Sequence, residues 1–237
     1  GKFDPARVLA LVEKQFGKLK KPNRVLPSLY TLEPAQDGER SVTLRRVGGS
    51  PQLMATYHTV PGAHPDHAAV ELLALVMGDT PSGRLHKRLT DARLAASTWA
   101  WTPGLHDPGF IAFGAELAPG QDVAASREAF VATLESMAAD PISADELERA
   151  RTKWLNGWEQ TFTDPENVGL ALSEAIALGD WRLFFLGRDQ VQQVMLADVQ
   201  RVAEAYLRPA NRTLGMYLPT DAPQRAPAPA KPDMAGT

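Results

Sequence analysis

The stretch from Gly78 to Leu117 constrains the fold most, because a turn, a short helix and a β-hairpin follow one another in it. It opens on a dense run of turn-forming residues, Asp79-Thr80-Pro81-Ser82-Gly83. Ser82 or Thr80 is predicted to cap the short helix that follows. The turn therefore separates the helix before it from the hairpin after it.

The hairpin is predicted from two strand-like segments, Leu94 to Trp101 and Phe110 to Leu117, joined by a connection rich in proline and glycine. Residues at alternate positions of the second segment differ in character. One set is the more apolar and is predicted to face a core: Ile111, Phe113, Ala115 and Leu117.

Two further strands and an apolar helix are predicted before this stretch. The strands run from Ser41 to Val47 and from Gln52 to Val60, and the Gly48-Gly49-Ser50-Pro51 connection predicts that they form a hairpin. The helix opens at Pro65 or Asp66, runs to Met77 and is mostly apolar. Such a helix is expected to be buried against the sheet.

Several helices and a closing strand are predicted after the hairpin. Capping and proline signals place helix starts near Asp122, Ser143, Asp164 and Met195, and Arg212 to Leu218 is predicted to be the last strand. On the helix that begins at Ser143, four charged side chains are interpreted as a solvated face: Glu146, Glu148, Arg149 and Arg151.

The most concentrated aromatic patch of the sequence runs from Trp181 to Leu186. Aromatic clusters can line a small-molecule pocket. The favoured alternative is packing in a core or against another domain, because Trp181, Phe184 and Phe185 fit one packed helix.

The order of these elements indicates the fold class. Strands are grouped around helices without regular alternation, which predicts an α+β protein. The expected architecture is a two-layer sandwich in which helices pack on one face of a mainly antiparallel sheet. The other face of the sheet must then meet solvent or another domain.

The sequence also suggests a division into domains. Residues 1–17 hold an amphipathic helix with Asp4 as cap and Gly17 as stop, and residues 18–40 carry three prolines and are interpreted as a linker. Residues 41–218 are predicted to be the main domain, and the proline-rich residues 219–237 a tail or linker. Because the first residue is not methionine, the chain is interpreted as a piece of a longer one.

Composition excludes several classes of function. The formal net charge is −3, from 25 basic and 28 acidic residues, so neither nucleic acid nor a membrane is expected as a partner. The chain has no cysteine, which excludes a disulfide framework and a thiolate zinc site. It also lacks a run of about 18 apolar residues, the pattern that would predict a membrane-spanning helix.

The succession of apolar helix, turn, short helix, hairpin and long helices resembles the insulinase/pitrilysin family of zinc metallopeptidases over almost the whole chain. In the catalytic domain of that family, the apolar helix carries an inverted zinc motif, His-x-x-Glu-His. Here that helix reads Ala68-Ala69-Val70-Glu71-Leu72-Leu73, and the motif occurs nowhere in the chain.

His64, His67 and Glu71 are the substitute metal ligands that the helix could offer. His67 and Glu71 are four residues apart and share a helix face, whereas His64 precedes Pro65 and is expected outside the helix. Glu71 is instead interpreted as a solvated side chain at the edge of the apolar face.

A second family feature, an arginine followed seven residues later by a substrate-holding tyrosine, falls on Leu89 and Ala96 in this sequence. Arg88 is one residue out of register, which rotates it by about 100° on a helix. The resemblance therefore implies an inactive second domain of a four-domain peptidase, and it implies that residues 1–17 are the last helix of the preceding domain. No catalytic, cofactor-binding or metal-binding residue is predicted in this chain, and zinc is expected elsewhere in the parent protein.

The leading hypothesis is that the parent protein is a zinc peptidase, in which this chain serves as wall and scaffold beside other domains and a peptide substrate. The alternative is a non-peptidase assembly or processing-partner subunit of the same family. A third hypothesis is an unrelated small-molecule domain around Trp99, Trp101 and Phe110. Compartment does not follow from the residues, and the resemblance implies the periplasm.

Overall fold

The chain forms two units, residues 1–35 and residues 36–237. The computed structural model describes residues 2–25 and 33–227. Parts of two predicted segments lie outside the described residues, namely 26–32 of the linker and 228–237 of the tail.

The first unit contains helix α1 (Pro5–Phe16), as predicted from its signals. The Asp4 carboxylate accepts hydrogen bonds from the backbone N–H groups of Ala6 and Arg7, so it caps the helix start. No residue of α1 is buried, and its large apolar side chains are exposed.

The second unit alternates strands and helices in an irregular order. Its elements are β1 (Arg40–Arg46), β2 (Gln52–His58), α2 (His67–Gly78), β3 (Ser97–Trp101), β4 (Phe110–Glu116), α3 (Val123–Leu134), α4 (Ala144–Gln160), α5 (Pro165–Leu178), α6 (Leu183–Gln193), α7 (Leu196–Tyr206) and β5 (Arg212–Pro219). Among the helices in the described parts of the chain, none is both long and apolar enough to cross a membrane.

The five strands form one sheet in the order β1-β5-β2-β4-β3. Among the described strands, only β1 and β5 run parallel, and the other neighbours are antiparallel. This arrangement confirms the α+β class with a mainly antiparallel sheet. The β3–β4 hairpin is also confirmed.

The predicted β1–β2 hairpin is wrong, because β5 lies between these two strands. Gly48 and Gly49 have φ values of 83° and 80°, and the connection they form passes around the end of β5. There the Tyr217 hydroxyl of β5 donates a hydrogen bond to the Gly48 carbonyl. The glycine turn thus connects two strands that are separated by a third strand, whereas a hairpin turn connects adjacent strands.

Side chains at the Asp79–Gly83 turn do not cap the short helix, contrary to the prediction. That helix is a single π-helical turn, His86–Thr90, with no side-chain cap. The Ser82 hydroxyl instead donates to the Asp79 carboxylate, and the Gly83 N–H donates to the Asp79 carbonyl. The turn therefore closes on itself before the helix begins.

Helix α2 is the centre of the core. Nine of its twelve residues are buried, which confirms the prediction that it packs against the sheet. The sheet contributes the alternate residues that point toward this helix layer: Leu53, Ala55, Tyr57, Ile111, Phe113, Ala115 and Leu214. The helices thus cover one face of the sheet, and the predicted inward face of β4 is confirmed.

Candidate functional site

Helix α2 is the position at which the resemblance expects metal chemistry, and it begins after two turn residues. His64 is exposed in the turn, as predicted, and its Nδ1 accepts a hydrogen bond from the Asp66 N–H. The Asp66 carboxylate binds the Arg201 guanidinium and the Tyr206 hydroxyl rather than the helix end. His64 therefore binds the backbone at the start of the helix, and Asp66 links this start to two side chains of α7.

His67 and Glu71 lie one turn apart inside α2, as their spacing predicted. His67 Nε2 is 3.9 Å from Glu71 Oε1, and His67 Nδ1 is buried with no hydrogen-bond partner in the described residues. Burial lowers the pKa of His67. Burial raises the pKa of Glu71 from 4.5 to about 7, and a hydrogen bond from the Trp154 side chain partly offsets this effect.

Glu71 is therefore not the solvated side chain that the sequence suggested. It is partly buried, with 29% of its side-chain surface exposed, and the Trp154 side chain of α4 acts on its pKa. Across residues 2–25 and 33–227, no three histidine, aspartate or glutamate side chains converge into a group that could hold a metal ion. The residues on this helix do not fit a zinc site.

The Glu71→Gln variant is expected to be more stable than the wild type at high pH only. The folded-state pKa is raised, so ionising Glu71 above about pH 7 weakens the fold, whereas near pH 4 the carboxyl is neutral. A shift from 4.5 to about 7 corresponds to at most about 3 kcal/mol. Urea unfolding of both proteins at pH 4 and pH 9 measures the difference.

Glu174→Gln on the exposed side of α5 is the matched control for this experiment. His67 is present in every protein compared, so its own titration cancels in the difference between variant and wild type. An equal effect of Glu71→Gln at both pH values would show that the carboxyl is not desolvated.

The two positions that correspond to the substrate-holding arginine and tyrosine, Leu89 and Ala96, differ in burial. Leu89 is fully buried in the core, and Ala96 is an exposed residue whose backbone N–H donates to the Glu116 carbonyl. The neighbouring Arg88 side chain binds the Asp140 carboxylate. Arg88 is thus used in a surface ion pair.

Arg84 is a buried charge that the sequence analysis missed. Its side chain is 6% exposed and makes two hydrogen bonds of 2.8 and 2.9 Å to the Glu146 carboxylate. It also donates to the backbone carbonyls of Asp140 and Pro141. The Arg84 guanidinium holds the pKa of Glu146 down at about 2, so the prediction that Glu146 belongs to a solvated face is wrong.

Arg151, which was also predicted to belong to the solvated face of α4, binds the end of another helix. Its guanidinium donates to the carbonyl oxygens of Val191 and Val194, at the end of α6. The only sequence signal for these roles was the capping-box pattern at Ser143 and Glu146, which the structure confirms. That pattern does not predict the long-range partner.

A second buried arginine, Arg212, joins three parts of the second unit. It binds the Glu39 carboxylate before β1 at 2.6 Å and the Glu135 carboxylate after α3. The buried Tyr57 hydroxyl lies next to Glu135, and burial raises the pKa of this phenol. Among the described residues Arg212 Nε has no hydrogen-bond partner, but both ends of its guanidinium bind carboxylates of the same unit, which indicates a structural cluster.

The aromatic patch packs between α4 and α6. The Trp158 ring stacks on Phe184 with a centroid distance of 5.2 Å, and its indole N–H donates to the Phe184 carbonyl. Phe162 and Phe185 pack edge-on against Trp158, and the Arg188 guanidinium lies 4.8 Å from the Trp158 ring centre. This geometry supports the packing interpretation for Phe184 and Phe185, whereas Trp181 precedes α6 and is 46% exposed.

The sheet presents a second face, the open face, opposite the helix layer. Its central row runs across all five strands and consists of Val42, Gly215, Met54, Gly114 and Trp99. Val42, Met54 and Trp99 are 57%, 43% and 41% exposed. Trp101 extends the apolar surface and packs edge-on against Phe110. The open face is therefore a broad surface on which aromatic side chains lie exposed.

On the open face, the position of the Trp99 ring requires a glycine at residue 114. A Cβ at this position would lie 2.1 Å from Cε2 of Trp99, so the indole lies directly over the glycine backbone. The third hypothesis placed a small-molecule pocket around Trp99, Trp101 and Phe110. The arrangement of Trp99 is instead that of a ring lying flat on a sheet.

Comparison with known proteins gives consistent matches. The family described as Peptidase M16 inactive domain matches residues 1–153. The structure described as the inactive peptidase domain of a proposed zinc protease from Bordetella parapertussis is 52% identical, with a TM-score of 0.70. The match covers 78% of this chain and 99% of that one.

Two longer proteins also match. Zinc protease PqqE of Helicobacter pylori is 24% identical over 222 residues, which cover 92% of this chain. The chain spans about half (50%) of the length of this curated relative. The periplasmic protease PqqL of Escherichia coli has the same fold, with a TM-score of 0.66 at 16% identity. That match covers 93% of this chain and 25% of PqqL.

Proposed function

Because the chain belongs to the Peptidase M16 inactive domain family, we propose that it is the non-catalytic domain of a polypeptide that hydrolyses peptides with zinc held in another domain. The zinc ligands and the base that activates water lie outside this chain. The relatives described as zinc proteases favour this role over that of an assembly subunit.

The observation that carries the proposal is the composition of α2. In catalytic domains of the insulinase/pitrilysin family, which the chain resembles, this helix carries two histidines that bind zinc and a glutamate that acts as base. Here the helix is filled with buried apolar residues, and His67 and Glu71 lack a third ligand in the described part of the chain. The helix has kept its packing role without the metal chemistry.

The domain contributes confinement and orientation to the reaction of the parent. β1 is an edge strand whose residues are all exposed, and among the described strands it pairs with β5 alone. The backbone of such an edge can add an extended peptide as a further strand. Orienting a peptide in this way lowers the entropic barrier to its cleavage at a distant metal.

Metal content and peptide hydrolysis, measured on this chain beside the full-length parent, test the proposal. We expect a zinc-dependent parent, recovered in the periplasmic fraction like its described fold neighbour, and a metal-free, inactive domain. A substrate peptide carrying a photoreactive group is expected to label β1 in the parent.

Two outcomes would contradict the proposal. Stoichiometric zinc or real turnover in the isolated domain would return attention to His64, His67 and Glu71. A parent whose remaining sequence lacks His-x-x-Glu-His would instead support the assembly subunit. Labelling confined to other strands would remove the role of β1 while leaving the non-catalytic assignment intact.

A further inference from the structure

The edge of the sheet formed by β1 is basic, although the chain as a whole has a net charge of −3. β1 and its neighbour β5 contain four arginines and no acidic residue. Arg212 of β5 is buried and held by two carboxylates, so its charge is balanced inside the unit. The three arginines of β1 are exposed, namely Arg40, Arg45 and Arg46. The positive charge of this edge therefore lies on β1.

Two of these arginines have no acidic partner. In the described part of the chain, the side chains of Arg45 and Arg46 form neither an ion pair nor a hydrogen bond. Asp221, the first acidic residue after β5, forms no ion pair with either of them. The Arg46 carbonyl accepts a hydrogen bond from the Thr220 N–H, which keeps this end of β1 attached to the chain that follows β5. The two guanidinium groups are thus free to bind a ligand on a fixed strand.

Arg45 and Arg46 lie on opposite faces of the sheet, because successive side chains of a strand alternate. Arg46 shares the open face with Val42, whereas Arg45 lies on the side of the helix layer. A strand added beside β1 would lie about 4.8 Å away, with opposite Cβ atoms roughly 5 Å apart. Two adjacent acidic residues of that strand would place one carboxylate on each face, each next to one guanidinium. Arginine binds a carboxylate through two parallel hydrogen bonds.

We propose that the β1 edge selects extended peptides that carry two adjacent acidic residues. This inference rests on the proposed function, because it names the class of substrate that pairs with β1. The backbone of β1 holds the peptide, and Arg45 and Arg46 fix its register by binding the acidic pair. The same charges oppose pairing between two copies of the chain. An acidic peptide is therefore favoured over a second copy as the strand that joins this edge.

Four photoreactive peptides of equal length test the proposal on the 237-residue chain. They are identical except for two residues, which are adjacent glutamates, adjacent glutamines, adjacent lysines, or two glutamates separated by one residue. The separated glutamates carry the same charge as the adjacent pair but face one side of the sheet. The yield of labelling within β1 is measured by mass spectrometry after proteolysis, at low salt and at high salt.

We expect the peptide with adjacent glutamates to label β1 with about five to ten times the yield of the glutamine peptide at low salt. The lysine peptide is expected to label least, because its charges repel the arginines. Separated glutamates are expected to label about two to three times less than adjacent ones, since they reach one arginine only. High salt is expected to reduce the preference for acid to less than about twofold.

Glutamine variants identify the residues responsible. The double variant Arg45→Gln, Arg46→Gln is expected to lose the preference for acid while the glutamine peptide labels it as it labels the wild type. Arg149→Gln, on the exposed side of α4, is the matched control and is expected to keep the full preference. Circular dichroism confirms that each variant is folded. A double variant that self-associates but keeps the preference would overturn the proposal, because the arginines would then only keep copies apart.

The remaining outcomes separate this inference from the proposed function. Equal labelling of β1 by all four peptides would overturn the selection of acid and leave the peptide-pairing role of β1 intact. Labelling outside β1 would remove both, whereas the zinc measurement on the parent would still decide the non-catalytic assignment. A single-stranded oligothymidylate that blocks labelling better than the acidic peptide itself would also overturn the inference, since the edge would then recognise phosphate.

Discussion

Replacing Arg84 by alanine is expected to lower the free energy of unfolding by about 3–5 kcal/mol, because the change leaves a buried carboxylate without its partner. Glu146 would lose both hydrogen bonds from the guanidinium, and its side chain is only 15% exposed. The carbonyl groups of Asp140 and Pro141 would lose their donors as well. Urea unfolding monitored by circular dichroism measures the loss.

The control for this prediction is Arg88→Ala. Arg88 also pairs with an acid, Asp140, but its side chain is 43% exposed, so its loss is expected to cost less than about 1 kcal/mol. The wild type provides a second check through pH. Because the pKa of Glu146 is lowered from 4.5 to about 2, the contribution of this pair is present above pH 4.5 and is lost as the pH falls through 2. Equal effects of the two alanine variants would show that burial of Arg84 is unimportant.

Gly78→Ala is expected to destabilise the domain by about 3 kcal/mol, at the upper end of the range for overpacked cores. A Cβ on Gly78 would lie 2.3 Å from both the backbone nitrogen and the Cβ of Ala100. The obstacle is backbone, which cannot rotate away as a flexible side chain does. Relief would require α2 to move away from β3, and the midpoint of urea unfolding reports this change.

The same substitution elsewhere has the opposite expected sign. Gly157 lies in the interior of α4 and is exposed, and a Cβ added to it would meet no other atom within 4 Å. Gly157→Ala is expected to stabilise the domain by about 0.5–1 kcal/mol through helix propensity alone. Two variants with similar stability changes would contradict the close approach of α2 to β3.

Local signals in the sequence were sufficient to predict where most of the α-helices begin. Asp4 and Asp122 cap α1 and α3 as their positions suggested, and Ser143 and Glu146 form the predicted capping box. These interactions span two or three residues, so the chain carries all the information that they need. Alternation along β4 predicted its inward face for the same reason.

Long-range pairing could not be predicted in this way. The turn at Gly48 and Gly49 fits a hairpin locally, but the position of β5 is decided by contacts with β1 and β2 far away in sequence. Likewise, the sequence around Glu146 is typical of an exposed helix residue. In the structure, Glu146 binds Arg84, which lies 62 positions away in the chain. Neither partner can be inferred from residue type or spacing.

The functional assignment depended on a different kind of signal. The missing zinc motif can be read directly, because it is a fixed pattern on one helix. The environment of Glu71 cannot, since its raised pKa results from burial beside α4, a helix that lies far along the chain from α2. The sequence therefore shows directly that the zinc motif is missing from this chain, but it does not show what the remaining polar groups contact.

The position of β5 also affects how the domain is made. A ribosome releases β1 and β2 first, yet the strand that joins them is the last element of the sheet. Until residues 212–219 emerge, β1 has no neighbour in the described sheet and one edge of β2 is unpaired. Unpaired strand edges on nascent chains favour misassociation. The domain is therefore expected to fold only after its synthesis is nearly complete, and nascent chains stalled before β5 are expected to depend on chaperones.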